Sequence, residues 1–240
     1  MAIAGWQAVQ ERLSRAVVAL GVVMTSCTQF RVDSRDEDGG VVVPPDNDDP
    51  DDGAPADSAP PDSAPPGSVV TIDDFEDGND DGWTRHGGTF STAGGVYRLS
   101  NVDSYGKSSW ITPPDDVTID LDVRFEEGDG DAGAIFRATD LGDGSDEMNG
   151  YYGAVNVSGD IAFFGRMDGG YTALGSAPVS IDPETWYHLK VIAIGSELRL
   201  YVGDMAVPKV VVFDDEWTSG AVGVRTFYSS AWFDNVTTTE

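Results

Sequence analysis

Between residues 69 and 240 the chain carries only ten basic side chains against thirty acidic ones, so arginines inside apolar, alternating stretches stand out. With Phe125 and Phe136 facing inward, the opposite parity places Asp122 and Arg124 on one strand and Arg137 on another. The same alternation brings Tyr152 and Asn156 to that face, with Arg166 and Arg225 nearby under the usual strand order. Guanidinium forks and amides bond sugar hydroxyls or carboxylates, and aromatic rings pack on the apolar face of a pyranose. Arg124, Arg137, Tyr152 and Asn156 are therefore the candidate ligand-binding residues. The competing reading is an internal lattice in which Asp120 and Asp122 pair Arg124 and Arg137 across strands.

Catalytic signatures are sparse. Two histidines, His86 in a Gly-flanked loop and His188 within an alternating run, leave little for a Ser-His-Asp triad or a multi-histidine zinc site. Asp77-Gly-Asn79-Asp-Asp81-Gly82 matches the first half of an EF-hand loop, but its twelfth position falls on Gly88 and no helical pattern flanks it. No catalytic residue is assigned.

The elements that must position these side chains read as strands. Thr118 to Phe125 alternates throughout, with Ile119, Leu121, Val123 and Phe125 on one side and Thr118, Asp120, Asp122 and Arg124 on the other. Further strands are predicted at 69–75, 96–100, 108–112, 132–139, 151–157, 161–166, 186–194, 197–202, 209–213, 220–226 and 231–237. Between them lie turn-forming clusters such as Gly94-Gly95, Gly128-Asp-Gly130, Ser158-Gly-Asp160 and Asp168-Gly-Gly170. About a dozen short strands without a helical period indicate an all-β, two-sheet antiparallel sandwich. A domain of this size buries a substantial core, and with one cysteine in 240 residues it stands without an internal disulfide.

That cysteine, Cys27, ends the apolar run Ala16 to Met24, which follows Arg12 and Arg15. A basic stretch, a short apolar core and small residues are the layout of a secretory signal, and the run is short of the ~20 residues that span a bilayer. Met24-Thr-Ser-Cys27 resembles the lipobox of bacterial lipoproteins, which implies lipidation at Cys27, a plain signal peptide or a buried, inert cysteine being the alternatives. The signal layout implies export, to the cell envelope as an anchored lipoprotein or as a secreted protein. Residues 33–68 hold eleven acids against Arg35 alone, eight prolines and no aromatic residue. Such a segment lacks the apolar surface to offset its ordering entropy, so residues 28–68 read as a disordered tether between a signal segment, 1–27, and a domain, 69–240. At ~3.1 Å per residue it would reach on the order of 100 Å. A formal net charge of −28 opposes phosphate backbones and anionic headgroups, so nucleic acid is excluded as a partner and membrane contact is expected through the anchor only.

The collinear series Asp73-Asp-Phe-Glu-Asp-Gly78, Asp120-Leu-Asp-Val-Arg-Phe125, Ala134-Ile-Phe-Arg-Ala138, Trp186-Tyr-His-Leu-Lys-Val191, Gly220-Ala-Val-Gly-Val-Arg225 and Trp232-Phe-Asp-Asn-Val236 resembles the concanavalin A-like jelly roll. Within that fold it is most similar to laminin-G-like domains and to the domains called 3-keto-disaccharide hydrolases. The fold hosts lectins, glycan-binding modules, lyases and hydrolases. Retaining glucanases of this fold carry Glu-x-Asp-x-x-Glu; Glu127-Gly-Asp129-Gly-Asp-Ala132 begins that way and has alanine where the acid must be. In several of the fold's carbohydrate modules, acids of the first and last strands share a calcium ion, which implies Asp74, Glu76 and Asp234 here. The resemblance implies a monomeric glycan-binding module, with a sugar-active hydrolase or a structural, adhesive surface protein as alternatives.

Overall fold

In the computed structural model the described residues are 69–239, apart from Ile111, Thr112 and Pro114. Cys27, the apolar run before it and the acidic tether lie outside them. The elements are β1 (Val69–Asp73), β2 (Thr84–His86), β3 (Thr89–Thr92), β4 (Tyr97–Ser109), β5 (Val117–Thr139) and β6 (Asn149–Asn156). They continue with β7 (Ile161–Asp168), β8 (Tyr171–Pro178), β9 (Tyr187–Ile194), β10 (Glu197–Val202), β11 (Val210–Phe213) and β12 (Ala221–Thr239). All pairings are antiparallel, and the described residues contain no helix.

Three long strands build both layers. The first halves of β4 and β5 pair with the second half of β12, and the second halves pair with its first half. Sheet I extends from this spine through β9, β10 and β11, with β1 and β3 on its other side. Sheet II extends through β6, β7 and β8, with β2 at its far edge. Strands 7 and 8 thereby face β10 and β11 across the core. A side chain on Gly175 of β8 would come within 2.7 Å of Val212 of β11, so glycine there lets the layers close.

The alternation of the first half of β5 is retained in space. Ile119, Leu121, Val123 and Phe125 are buried in the inter-sheet core, while Thr118, Asp120, Asp122 and Arg124 line the outer face of sheet I. Each large apolar side chain so buried contributes roughly 1.5–3 kcal/mol. Sheet II differs, because both of its faces are buried: Ala132, Ala134, Phe136, Tyr151 and Phe164 belong to the main core, and Ile135, Tyr152, Phe163, Met167 and Met148 form a second cluster on the outer side.

Three pairs of expected strands are single strands. The stretches predicted at 96–100 and 108–112 join as β4, those at 118–125 and 132–139 as β5, and those at 220–226 and 231–237 as β12. Gly128-Asp-Gly130, expected as a turn, lies inside β5 opposite a register shift in β12 between Phe227 and Ser229. Gly128 takes a φ of +96° and Tyr228 a φ of +49°, so the spine bends there without ending. Strands β2, β3 and β8 lack a clear period of two in the sequence and were not expected.

Candidate functional site

The outer face of sheet II gathers charged side chains that are almost wholly buried. Arg225 of β12 lies directly between Lys107 of β4 and Gly133 of β5 in the strand register. Two residues along, on the same face, Phe227 pairs with Asp131, which in turn pairs with Asn156 of β6. Lys107 is 1% exposed, Arg225 3% and Asp131 9%. Burying charges at this depth is tolerated only where partners surround them.

Each has such partners. The Arg225 guanidinium lies 4.6 Å from the centroid of the Tyr152 ring and 5.1 Å from that of Phe227. Its Nη2 donates to Asp146 Oδ1 at 3.2 Å, and its Nη1 is 3.8 Å from Asp131 Oδ1. Its Nε is buried without an acceptor. The Tyr152 hydroxyl donates to Asp131 Oδ1 at 2.9 Å and lies 3.1 Å from the Arg225 carbonyl. Burial pushes the Asp131 carboxyl up to about 6, against the pull of Arg225 and the Tyr152 hydrogen bond. Burial pushes the Lys107 ammonium down to about 8, with repulsion from Arg225 adding to it.

The β5–β6 connection is laid over these cations. Lys107 Nζ donates to the Gly144 carbonyl at 2.6 Å, and Arg225 reaches Asp146 in the same loop. Met148 is buried in the outer cluster and anchors the loop's end. The loop closes on itself through Gly142 N to Glu147 O at 2.8 Å and Gly144 N to Glu147 Oε2 at 2.9 Å. Acidic Asp143, Asp146 and Glu147 thus form a rim above Lys107 and Arg225, and all three act to hold Lys107 charged.

Tyr171, at the start of β8, completes the site. It is 46% exposed, and its ring lies over Gly165, where a Cβ would meet Tyr171 Cε2 at 2.3 Å. Glycine at 165 leaves the room that this ring occupies. Tyr171 meets Phe163 edge-on at 6.4 Å, and Phe163 meets Tyr152 edge-on at 5.7 Å. Its hydroxyl is pushed above the ordinary tyrosine range, first by desolvation on its packed side and then by Asp131. The arrangement offers an exposed ring beside hydrogen-bonding groups held in place from below, which is the equipment for gripping a polyhydroxylated ring.

Of the four residues expected to bind ligand, Tyr152 and Asn156 share this face. Arg137 does not. A register shift after Phe136 and a φ of +49° at Arg137 turn its side chain away from the parity expected of it. It is 2% exposed, and its guanidinium donates to the carbonyls of Asp115, Gly195 and Trp217, joining three connections at one end of the sandwich. Arg124 lies on the outer face of the other sheet. Arg166 is bound to Asp214 at 2.7 Å, and Tyr151 donates to the same carboxylate at 2.6 Å. The cross-strand lattice also has other members than expected, since Asp120 and Asp122 hold His188 at 3.0 and 2.8 Å and Asp120 holds Lys190 at 3.3 Å.

Asp131, Lys107, Asp146 and Tyr171 were not among the expected site residues. Counting back from Phe136 places Asp131 on the face of Ile135, a parity signal that the surrounding glycines obscured. Nothing in the local sequence ties Lys107 or Asp146 to Arg225.

The proposed calcium ligands fit an ion poorly. The Asp74 carboxylate accepts from Glu76 N at 3.3 Å and Asp234 Oδ1 from Asn235 N at 2.7 Å, while the Glu76 carboxylate rests against Gly95. Among the described residues no three carboxylate, histidine or cysteine side chains converge as a metal site. Asp234 is pushed up, first by burial, with Asp122, Glu76 and Asp74 adding repulsion.

Over 159 residues the chain is 31% identical to a levanase of Bacillus subtilis (strain 168), a match covering 65% of this chain and 22% of that protein. The chain thus spans about a fifth of that curated relative. Among solved structures, it is similar to the carbohydrate binding module CBM66 from Bacillus subtilis, with a TM-score of 0.60 at 24% identity over 66% of this chain and 96% of the module. It is also similar to the VIP36 exoplasmic/lumenal domain in a Ca2+/Man3GlcNAc-bound form, with a TM-score of 0.54 at 12% identity over 70% of this chain and 86% of that one. These likenesses show the concanavalin A-like sandwich. Residues 71–239 match the model of the 3-keto-alpha-glucoside-1,2-lyase-like domain, and the chain belongs to that family.

Proposed function

We propose that the domain binds a glycan on the outer face of sheet II. Tyr171 supplies the stacking ring, Asp146 and Asn156 supply accessible polar groups, and the Arg225–Asp131–Tyr152 cluster beneath holds them in place. The observation that carries this reading is the exposed Tyr171 ring lying against Gly165 and, through Phe163, against Tyr152 of the charged cluster. A levanase relative and a carbohydrate-binding-module neighbour support it.

A sugar-active hydrolase is the second reading, favoured by an Asp131 carboxyl raised to about 6 with Asp146 on the far side of Arg225. What supports binding over turnover is access. A general acid must come within hydrogen-bond reach of the leaving atom, whereas the Asp131 side chain is 13% exposed and engaged by Tyr152. Lipidation at Cys27 and an extended tether at 28–68 would hold the domain off a membrane surface; Cys27→Ala should then release the protein from the membrane fraction.

Retardation of the full chain in gels containing levan, laminarin or xylan tests the binding reading. At least one polysaccharide should retard the wild type, and Tyr171→Ala should weaken the retardation about fivefold, the loss of ~1 kcal/mol of stacking. Release of reducing sugar by the wild type, abolished in Asp131→Asn, would favour the hydrolase instead.

A further inference from the structure

The outer face of sheet I carries a second group of aromatic and cationic side chains, remote from Tyr171. Trp232 of β12 lies between Arg98 of β4 and Arg124 of β5 in the strand register. The Arg124 guanidinium sits 3.9 Å from the Trp232 ring centroid and 5.2 Å from that of Trp186, so it lies against two indoles. Arg98 is committed to Glu126 at 2.6 Å. The Arg124 guanidinium has no hydrogen bond or ion pair with any described residue. Trp232 Nε1 is buried and also has no acceptor, while Trp186 is 39% exposed.

These facts define what is missing. Of these donors only the Trp232 indole N–H is buried without an acceptor, which is rare enough to need a reason, while the half-buried Arg124 guanidinium above it meets solvent and no protein acceptor in a chain rich in acids. An exposed indole beside them supplies a flat apolar surface. A ligand that fits offers oxygen acceptors and an apolar ring face together.

Its charge is set by the surroundings. One same-face step from the Trp232–Arg124 pair, Asp234 stands opposite Asp122, and Glu126 follows two residues after Arg124. Asp234 already meets repulsion from Asp122, Glu76 and Asp74. A carboxylate, sulfate or phosphate brought to Arg124 would add to that negative field. Sugar hydroxyls and ring oxygens would not. We infer that Arg124, Trp186 and Trp232 form a second carbohydrate-contact surface, on the sheet opposite Tyr171, selective for neutral glycan chains. Two surfaces on one small domain would let it hold two strands or two points of a polysaccharide, and avidity would exceed either contact alone.

The test uses the full chain labelled with 15N and four probes: levan, laminarin and xylan, which are neutral, and polygalacturonate, which is anionic. At least one neutral probe should shift the indole N–H resonances of Trp186 and Trp232, and the shifts should persist in Tyr171→Ala, which separates this surface from the one proposed above. Trp186→Ala should weaken the affinity of Tyr171→Ala for that probe a further fivefold or so. Arg124→Lys, which keeps the charge and loses the planar fork, should weaken it as well. No indole shift with any neutral probe would overturn the inference. So would shifts seen with polygalacturonate alone, or indole shifts that vanish in Tyr171→Ala.

Discussion

The Arg225 guanidinium lies over the Tyr152 ring, 4.6 Å from its centroid, while the Tyr152 hydroxyl donates to Asp131 at 2.9 Å. One phenol thus supports a buried cation with its face and a buried carboxyl with its edge. This pairing lets sheet II carry charge on a face that is otherwise packed with Ile135, Phe163 and Met167.

Tyr152→Phe keeps the ring and removes the hydrogen bond. The buried Asp131 carboxyl then loses its donor, at a cost of about 1–3 kcal/mol. Urea unfolding should show that loss, and any glycan affinity should fall less than it does in Tyr171→Ala, because Tyr152 is fully buried.

The Asp131 carboxyl also sets a pH dependence. Its value in the fold, about 6, exceeds the ordinary 3.8, with burial the main cause. Between these values the folded state binds more protons than the unfolded one, so stability should fall as pH rises from about 4 to 6 and level off above. Thermal melts across that range should show the decline in the wild type and a shallower one in Asp131→Asn.

Arg137 is a structural residue in this fold. Arg137→Ala leaves the carbonyls of Asp115, Gly195 and Trp217 without their donor, at roughly 2–4 kcal/mol. The melting temperature should drop, and glycan affinity of the folded fraction should stay unchanged.

Face assignment along β5 has its own check. Phe125→Ala removes a fully buried ring from between the sheets and should cost about 3–5 kcal/mol. Thr118→Ala on the outer face should change stability by about 0.5 kcal/mol or less.

The first half of β5 was legible in the sequence because strict alternation coincides with one buried and one half-exposed face, and Ile119 to Phe125 occupy the sides their parity assigns. The second half was less so. Nine consecutive buried residues, from Gly130 to Ala138, erase the alternation, because the β5–β6 loop covers what would otherwise be a solvent face. Parity counting failed at Arg137 because a register shift inserts a residue that neither composition nor spacing signals. Tyr171 was hidden for a different reason: the space its ring occupies is made by Gly165, six residues away on the neighbouring strand, and such complementarity appears only when β7 and β8 are paired. The fold rests on local periodicity and could be read; the candidate site rests largely on contacts between distant residues, so that only Tyr152 and Asn156 were placed on its face from parity.

Mapping the bound glycan onto the full chain by amide chemical-shift perturbation is the most direct measurement of the central claim. With a polysaccharide that retards the protein, the shifts are expected to include Asp131, Asp146, Asn156, Tyr171 and Arg225, and to disappear from this group in Tyr171→Ala. Binding that leaves all five of these amides unmoved would contradict a glycan site on the outer face of sheet II.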